Sequence, residues 1–198
     1  MLNWIIVAAA VIWLYVLTVL KRTKLDGWYF VVGSAGLFVL ALITLQPILL
    51  QPIQKAVAAS AGVLGNLTGT YTSFFQNSLV FVSHGDMNIS MYVDFECSGI
   101  IESFALLALL WFFPAYQLYE KIIVSVIGCV TIFVSNVLRI FLICLCLYFF
   151  GEGSYFFAHT ILGRFFFYAC TIVLYFYVFT RSQVVRQRVG AFKYDNNQ

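Results

Sequence analysis

Five stretches of the chain are almost unbroken runs of apolar residues: Asn3 to Leu20, Trp28 to Leu50, Ile100 to Tyr119, Ile122 to Phe150 and Ile161 to Thr180. A helix needs about 20 mainly apolar residues to cross the hydrocarbon of a bilayer. Inside lipid every backbone N–H and C=O must be satisfied within the segment, so such runs have helices as their natural fold. Composition closes off a water-soluble alternative: 63% of the residues are hydrophobic, 10% are charged, and the mean hydropathy is +0.95. Soluble domains carry roughly 45–50% apolar and about 25% charged residues, and a chain of 198 residues has too little interior to hide the excess. The expected fold class is an all-α polytopic membrane protein with about five transmembrane helices.

The segment from Gln51 to Glu96 breaks this pattern with frequent Gly, Ser, Thr, Asn and Gln. It reads as a loop outside the membrane, opening with an interfacial helix around Ile53 to Leu64. Within it Met87, Ile89, Met91 and Val93 alternate with Asn88, Ser90, Tyr92 and Asp94, the period-two pattern of a half-buried strand. With Leu79 to Val82 before it and Ser83-His84-Gly85-Asp86 between, a small β-hairpin is expected. No internal repeat appears, so residues 1–198 form one membrane domain. Its parts are two N-terminal helices over 1–50, the loop over 51–96, a three-helix half over 97–181 and a tail over 182–198. The first apolar run follows no basic n-region and precedes no small-residue cleavage site, so it reads as a retained helix.

Basic residues cluster at Lys21-Arg22-Lys24 and at Arg181, Arg186, Arg188 and Lys193. They flank apolar runs rather than tracking along a face, which points to cytoplasmic loops and away from nucleic acid. With Glu120-Lys121 on the same side, the N-terminus lies outside and the C-terminus inside. The loops before Cys97 and His159 then face outward.

Helix rise now places three polar residues at one depth. At about 1.5 Å per residue, Arg139 stands roughly 27 Å from Lys121, His159 roughly 33 Å from Arg181, and Cys97 roughly 35 Å from Glu120. A thiol, a guanidinium and an imidazole on three helices meet near the outer boundary of a hydrocarbon layer about 30 Å thick. Among five cysteines, Cys97 alone has polar company, in Glu96-Cys97-Ser98-Gly99. A thiolate forms readily beside a cation or a histidine and at a helix start. His159 can take the thiol proton and return it to a leaving amine, and Arg139 can stabilise a thiolate or an oxyanion. Plainer readings stand beside these: Cys97 as inert packing, Arg139 as a structural cation paired with Glu102 or capping carbonyls, His159 as an interfacial polar tip. Asn136, one turn before Arg139 on the same face, is placed to hold it. Arg164, at about 100° per residue, points roughly 140° away from His159, towards another helix or the headgroups. His84 reads as a solvated turn residue. Two histidines, one of them in a turn, supply no metal ligand set, and no cofactor is expected.

Cys97-Ser98-Gly99, Asn136-Val137-Leu138-Arg139 and His159-Thr160-Ile161-Leu162-Gly163 occur in this order with apolar helices between them. In this they resemble the Cys-Ser-Gly, Asn-x-x-Arg and His-x-x-x-Gly signatures of the exosortase/archaeosortase family. The two helices before Cys97 resemble its short, Gram-positive-type form. The resemblance implies a membrane cysteine transpeptidase or protease with Cys97 as nucleophile, His159 as general acid and base, and Arg139 as transition-state stabiliser. Asn136, Glu102, Ser98 and Arg164 would be the residues contacting substrate. It also implies the partner: an exported protein with a C-terminal sorting tail and transmembrane helix, drawn laterally from membrane lipid, with glycan-assembly proteins as further partners. The rival reading is a non-catalytic membrane subunit of a polysaccharide or glycan export system. A transporter fits less well, since there are few intramembrane charges and no inverted repeat.

Overall fold

A computed structural model describes residues 2–84, 87–93 and 95–181. In chain order they form α1 (Leu2–Arg22), α2 (Asp26–Thr44), α3 (Gln46–Thr68), β1 (Thr72–Phe74), β2 (Leu79–His84), β3 (Met87–Tyr92), α4 (Ile100–Phe112) and α5 (Leu118–Phe150). A π-helical turn, Phe157–Leu162, then leads into α6 (Gly163–Tyr175), and a second π turn follows at Phe176–Arg181. Among the described residues four helical stretches are long and apolar enough to cross a membrane: 26–44, 46–68, 118–150 and 152–180. With the chain mostly helical and one small sheet, it is an all-α polytopic membrane protein. Residues 85 and 86 of the expected turn lie outside the described residues, as do Asp94 and the basic tail beyond Arg181.

Local chemistry explains where the helices stop. Gly69, at φ +65°, closes α3 in the left-handed conformation that costs glycine no Cβ clash. At the other end Pro47 occupies the first turn of that helix, where its missing N–H is harmless. The sequence places an exit from the membrane here and only a short helix beyond it. The chain instead turns at Leu45 and continues as a 23-residue helix. Its small residues at helical spacing account for this, because Ala58, Ala61, Gly62 and Gly65 form a buried stripe against which the sheet packs closely. Ser73 Oγ donates to the Ala58 carbonyl at 2.7 Å and the Tyr71 hydroxyl to the Ala61 carbonyl at 2.6 Å. At the following helix, Pro114 cuts α4 to 13 residues, short of the expected Tyr119. Helix α5 then begins with a capping box, the Gln117 amide donating to Glu120 Oε2 at 2.8 Å.

The hairpin forms as the alternation predicts, β2 against β3 with Val82 opposite Ile89 and Val80 opposite Met91. Val80, Val82, Met91 and Val93 face inward while Asn88, Ser90 and Tyr92 face out. A third strand, β1, adds antiparallel to β2. The sheet's apolar face shares one core with Val57, Ala58 and Ala61 of α3 and with Ile140, Ile143, Cys144 and Leu147 of α5. That core is why α5 runs unbroken for 33 residues, roughly 50 Å, against a hydrocarbon thickness of about 30 Å. Towards its C-terminus Ile143, Cys144 and Leu147 are apolar because they support the sheet.

Candidate active site

Cys97 lies in the turn between β3 and α4, and its position depends on what surrounds its peptide groups. Gly99, at φ +70°, caps α4. Its missing Cβ would stand 3.2 Å from Ile132 Cγ2 and 3.7 Å from Asn136 Nδ2, so a side chain here would be strained and crowded at once. Ser98 Oγ donates to the Phe95 carbonyl at 2.7 Å and accepts from the Ile100 amide at 3.3 Å. Those bonds make Ser98, expected as a substrate contact, a brace of the turn.

Helix α5 grips the same turn from below. The Asn136 side-chain amide donates to the carbonyl of Cys97, and Arg139 Nη1 donates to the carbonyl of Glu96 at 3.3 Å. Residues three apart on a helix share a face, so an Asn-x-x-Arg pair can hold two consecutive carbonyls. The sequence places Asn136 as a support for Arg139; in the structure its donor serves the Cys97 peptide. Asn136 is fully buried, and Arg139 is 3% exposed with its guanidinium carbon 5.7 Å from the Phe167 ring centroid. Its Nε and Nη2 atoms are buried with no hydrogen-bond partner. Glu102, the alternative partner for Arg139, forms no ion pair with it; an ion pair joins Arg164 Nη2 to Glu96 Oε2 at 2.9 Å.

His159 arrives from the opposite side on the π turn 157–162. Its Nε2 stands 3.8 Å from Cys97 Sγ, and its ring stacks on Tyr155 with centroids 5.6 Å apart and planes 7° from parallel. Cys97 is 2% exposed, so a buried thiol meets a half-buried imidazole. The π turn also corrects the expected direction of Arg164. Its hydrogen bonds close over five residues instead of four, which brings residues five apart towards one face, whereas an α-helix would separate them widely. Arg164 therefore returns to the site. It lines a pocket of about 220 Å³ together with Glu96, Glu102, Arg139, Phe167 and Tyr168. Gly163 permits this geometry, since a Cβ there would come within 2.7 Å of Ile143 Cδ1 and 3.2 Å of the Ala158 carbonyl.

The structure thus brings Cys97, Asn136, Arg139, His159 and Arg164 together, with Glu102 on the pocket wall. The sequence reading names Glu96 only as a polar neighbour of Cys97 and passes over Tyr155. Glu96 had a visible signal in its place next to Cys97, and Tyr155 stands four residues before His159. Among the described residues no three of His, Cys, Asp and Glu gather closely enough to hold a metal ion. What the arrangement can do chemically is nucleophilic: a thiol against an imidazole, near a buried cation.

Fold and site together define a polytopic membrane protein with a thiol–imidazole pair at the sheet end of its bundle. The transmembrane exosortase family model matches residues 2–176, nearly the whole chain, and the chain belongs to that family. No curated protein matches the sequence, and no solved structure matches the fold.

Proposed function

We propose that the protein is a cysteine transpeptidase or peptidase embedded in the cell membrane, with its site at the extracytoplasmic face. Its substrate is an exported protein whose C-terminal sorting tail carries a transmembrane helix. The observation that carries this reading is the 3.8 Å approach of His159 Nε2 to Cys97 Sγ, in a family of transmembrane exosortases.

The chemistry follows from those atoms. His159 takes the thiol proton, and the thiolate attacks a backbone carbonyl to form a tetrahedral oxyanion. Collapse breaks the C–N bond, the leaving amine takes the proton from His159, and the new N-terminal part of the substrate remains as a thioester on Cys97. An acceptor amine or water then attacks the thioester and restores the thiol. The positive charge of Arg139 favours the anionic states along this path, and the low exposure of Cys97 strengthens that effect. Tyr155, stacked on the imidazole, fixes the ring's plane.

The test is to isolate the protein from expressing cells and examine the Cys97 peptide by mass spectrometry. An acyl adduct released by hydroxylamine, absent from Cys97→Ser and His159→Ala, supports the reading. An unmodified Cys97 with exported proteins left at full length in every strain would move the assignment to a non-catalytic subunit of a glycan export system.

A further inference from the structure

Helix α4 runs from the Cys97 turn to Phe112, so its two ends stand roughly 20 Å apart. At the end away from Cys97 a cleft of about 640 Å³ opens between α1, α2 and the connection from α4 to α5. That volume lies within the roughly 300–1,000 Å³ usual for small-ligand sites. Asp26, which opens α2, and Lys121, in the first turns of α5, both line the cleft. The exposed rings of Trp28, Trp111 and Tyr119 belong to the same end of the bundle, and such rings gather where hydrocarbon gives way to headgroups. Further in the walls turn apolar, with Trp13 and Leu37. Trp13 precedes Arg22, the last residue of α1, by nine residues, roughly 14 Å of helix. This is close to the depth of one leaflet, half of a hydrocarbon layer about 30 Å thick.

The polar groups of the cleft are unequally satisfied. The Trp13 indole N–H donates to the Val32 carbonyl at 2.9 Å, so that ring is a fixed wall. Lys121 Nζ donates to the Trp111 carbonyl at 2.5 Å, one of the carbonyls that the end of α4 leaves over. The rest of its ammonium donors have no acceptor among the described residues, since the neighbouring Glu120 carboxylate accepts from the Gln117 amide. Asp26 has neither a hydrogen bond nor an ion pair among the described residues, although Lys121 shares its cleft. A cation and an anion held apart at the headgroup level, with apolar walls beneath, match an amphiphile that carries both charges. A carboxylate accepts hydrogen bonds from a primary ammonium, whereas a quaternary one has none to give. Tyr29 and Trp111 line the cleft as well and supply aromatic surface that attracts a cation. A purely anionic headgroup would leave Asp26 unmatched and be repelled by it.

We propose that this cleft binds one phospholipid of the adjoining leaflet, with a zwitterionic headgroup of phosphate and primary amine. Lys121 takes the phosphate, Asp26 takes the ammonium, and an acyl chain lies along Trp13 and Leu37. Because its walls come from α1, α2 and the start of α5, the lipid ties the N-terminal helix pair to the half of the bundle that carries Cys97. The proposal rests on the far end of the molecule and is independent of the peptidase reading.

Native mass spectrometry of the full-length protein in detergent micelles tests it, with dioleoyl phosphatidylethanolamine, phosphatidylcholine and phosphatidylglycerol supplied in equal amounts. The wild type is expected to retain one phosphatidylethanolamine about tenfold more tightly than either competitor. Asp26→Asn, at an exposed position that the fold tolerates, should abolish the preference for ethanolamine over choline. Lys121→Gln, which keeps a donor for the Trp111 carbonyl, should weaken all three lipids about tenfold. A wild type without headgroup preference overturns the proposal, as does an ethanolamine preference that persists in Asp26→Asn or binding unchanged in Lys121→Gln. Preference for phosphatidylglycerol also overturns it, and would mark attraction to the basic residues Lys21, Arg22 and Lys24 instead.

Discussion

Asn136→Ala is the substitution whose consequence can be worked furthest from the structure. Asn136 is fully buried and its amide serves the Cys97 carbonyl. Removing that donor strands a buried acceptor, at a cost of about 1–3 kcal/mol. The cost falls on a short segment whose other bonds include Ser98 N to the Phe95 carbonyl at 3.2 Å, Ser103 N to the Gly99 carbonyl at 3.1 Å, the Ser98 side-chain brace and Arg139 Nη1 to the Glu96 carbonyl at 3.3 Å. Local opening of this turn should accordingly become about 5–150 times more frequent, without unfolding the rest of the bundle. Hydrogen exchange on the peptide spanning 95–104, in nanodiscs, reads this as lost protection of that size. Peptides from α1 and α2 should be unchanged. Asn136→Leu, which fills most of the volume but donates nothing, should behave like the alanine variant and so separates hydrogen bond from cavity. Protection within twofold of wild type in both variants would refute the idea that α5 holds the Cys97 turn through this residue.

Two other outcomes follow from the packing. Gly163→Val should destabilise by about 1–3 kcal/mol, the range for overpacking, because the new carbon meets Ile143 and the Ala158 carbonyl; thermal unfolding and the Cys97 alkylation rate should both report it, as the same contact shapes the turn that carries His159. Burial raises the Tyr71 phenol above its ordinary range, near 10, so the neutral form is favoured in the folded state. The stabilisation is then fully present below pH about 10 and is lost as pH rises further and the unfolded chain ionises. Tyr71→Phe should be less stable at neutral pH by about 0.5–1.5 kcal/mol, through loss of the bond to Ala61, and should show a shallower alkaline decline in denaturant titrations.

What the sequence discloses and what it withholds divide along physical lines. The hairpin was legible because Met87 to Val93 alternate strictly and one face is buried. The shared depth of Cys97, Arg139 and His159 was legible from helix rise, which depends on residue count alone, whereas their contact was not. The length of α3 was hidden because its buried face is built from alanine and glycine, which carry little hydropathy signal. Strand β1 was hidden by its brevity, three residues of mixed polarity. The side on which Arg164 stands could not be read from a 3.6-residue period, since the π turn before it breaks that period. Why the apolar run Ile122 to Phe150 outlasts a membrane span was hidden, because its partner, the sheet, is distant in sequence.

The account stands or falls on whether Cys97 and His159 act as a pair, and the rate of Cys97 alkylation by iodoacetamide across pH measures this most directly. Wild type, His159→Ala and Arg139→Gln are to be compared in a protein whose other four cysteines are replaced by alanine. The account predicts that wild-type Cys97 reacts at neutral pH at least about tenfold faster than either variant, with a profile that extends to lower pH. Equal rates and superimposable profiles in all three proteins would show an ordinary buried thiol and contradict the catalytic pair.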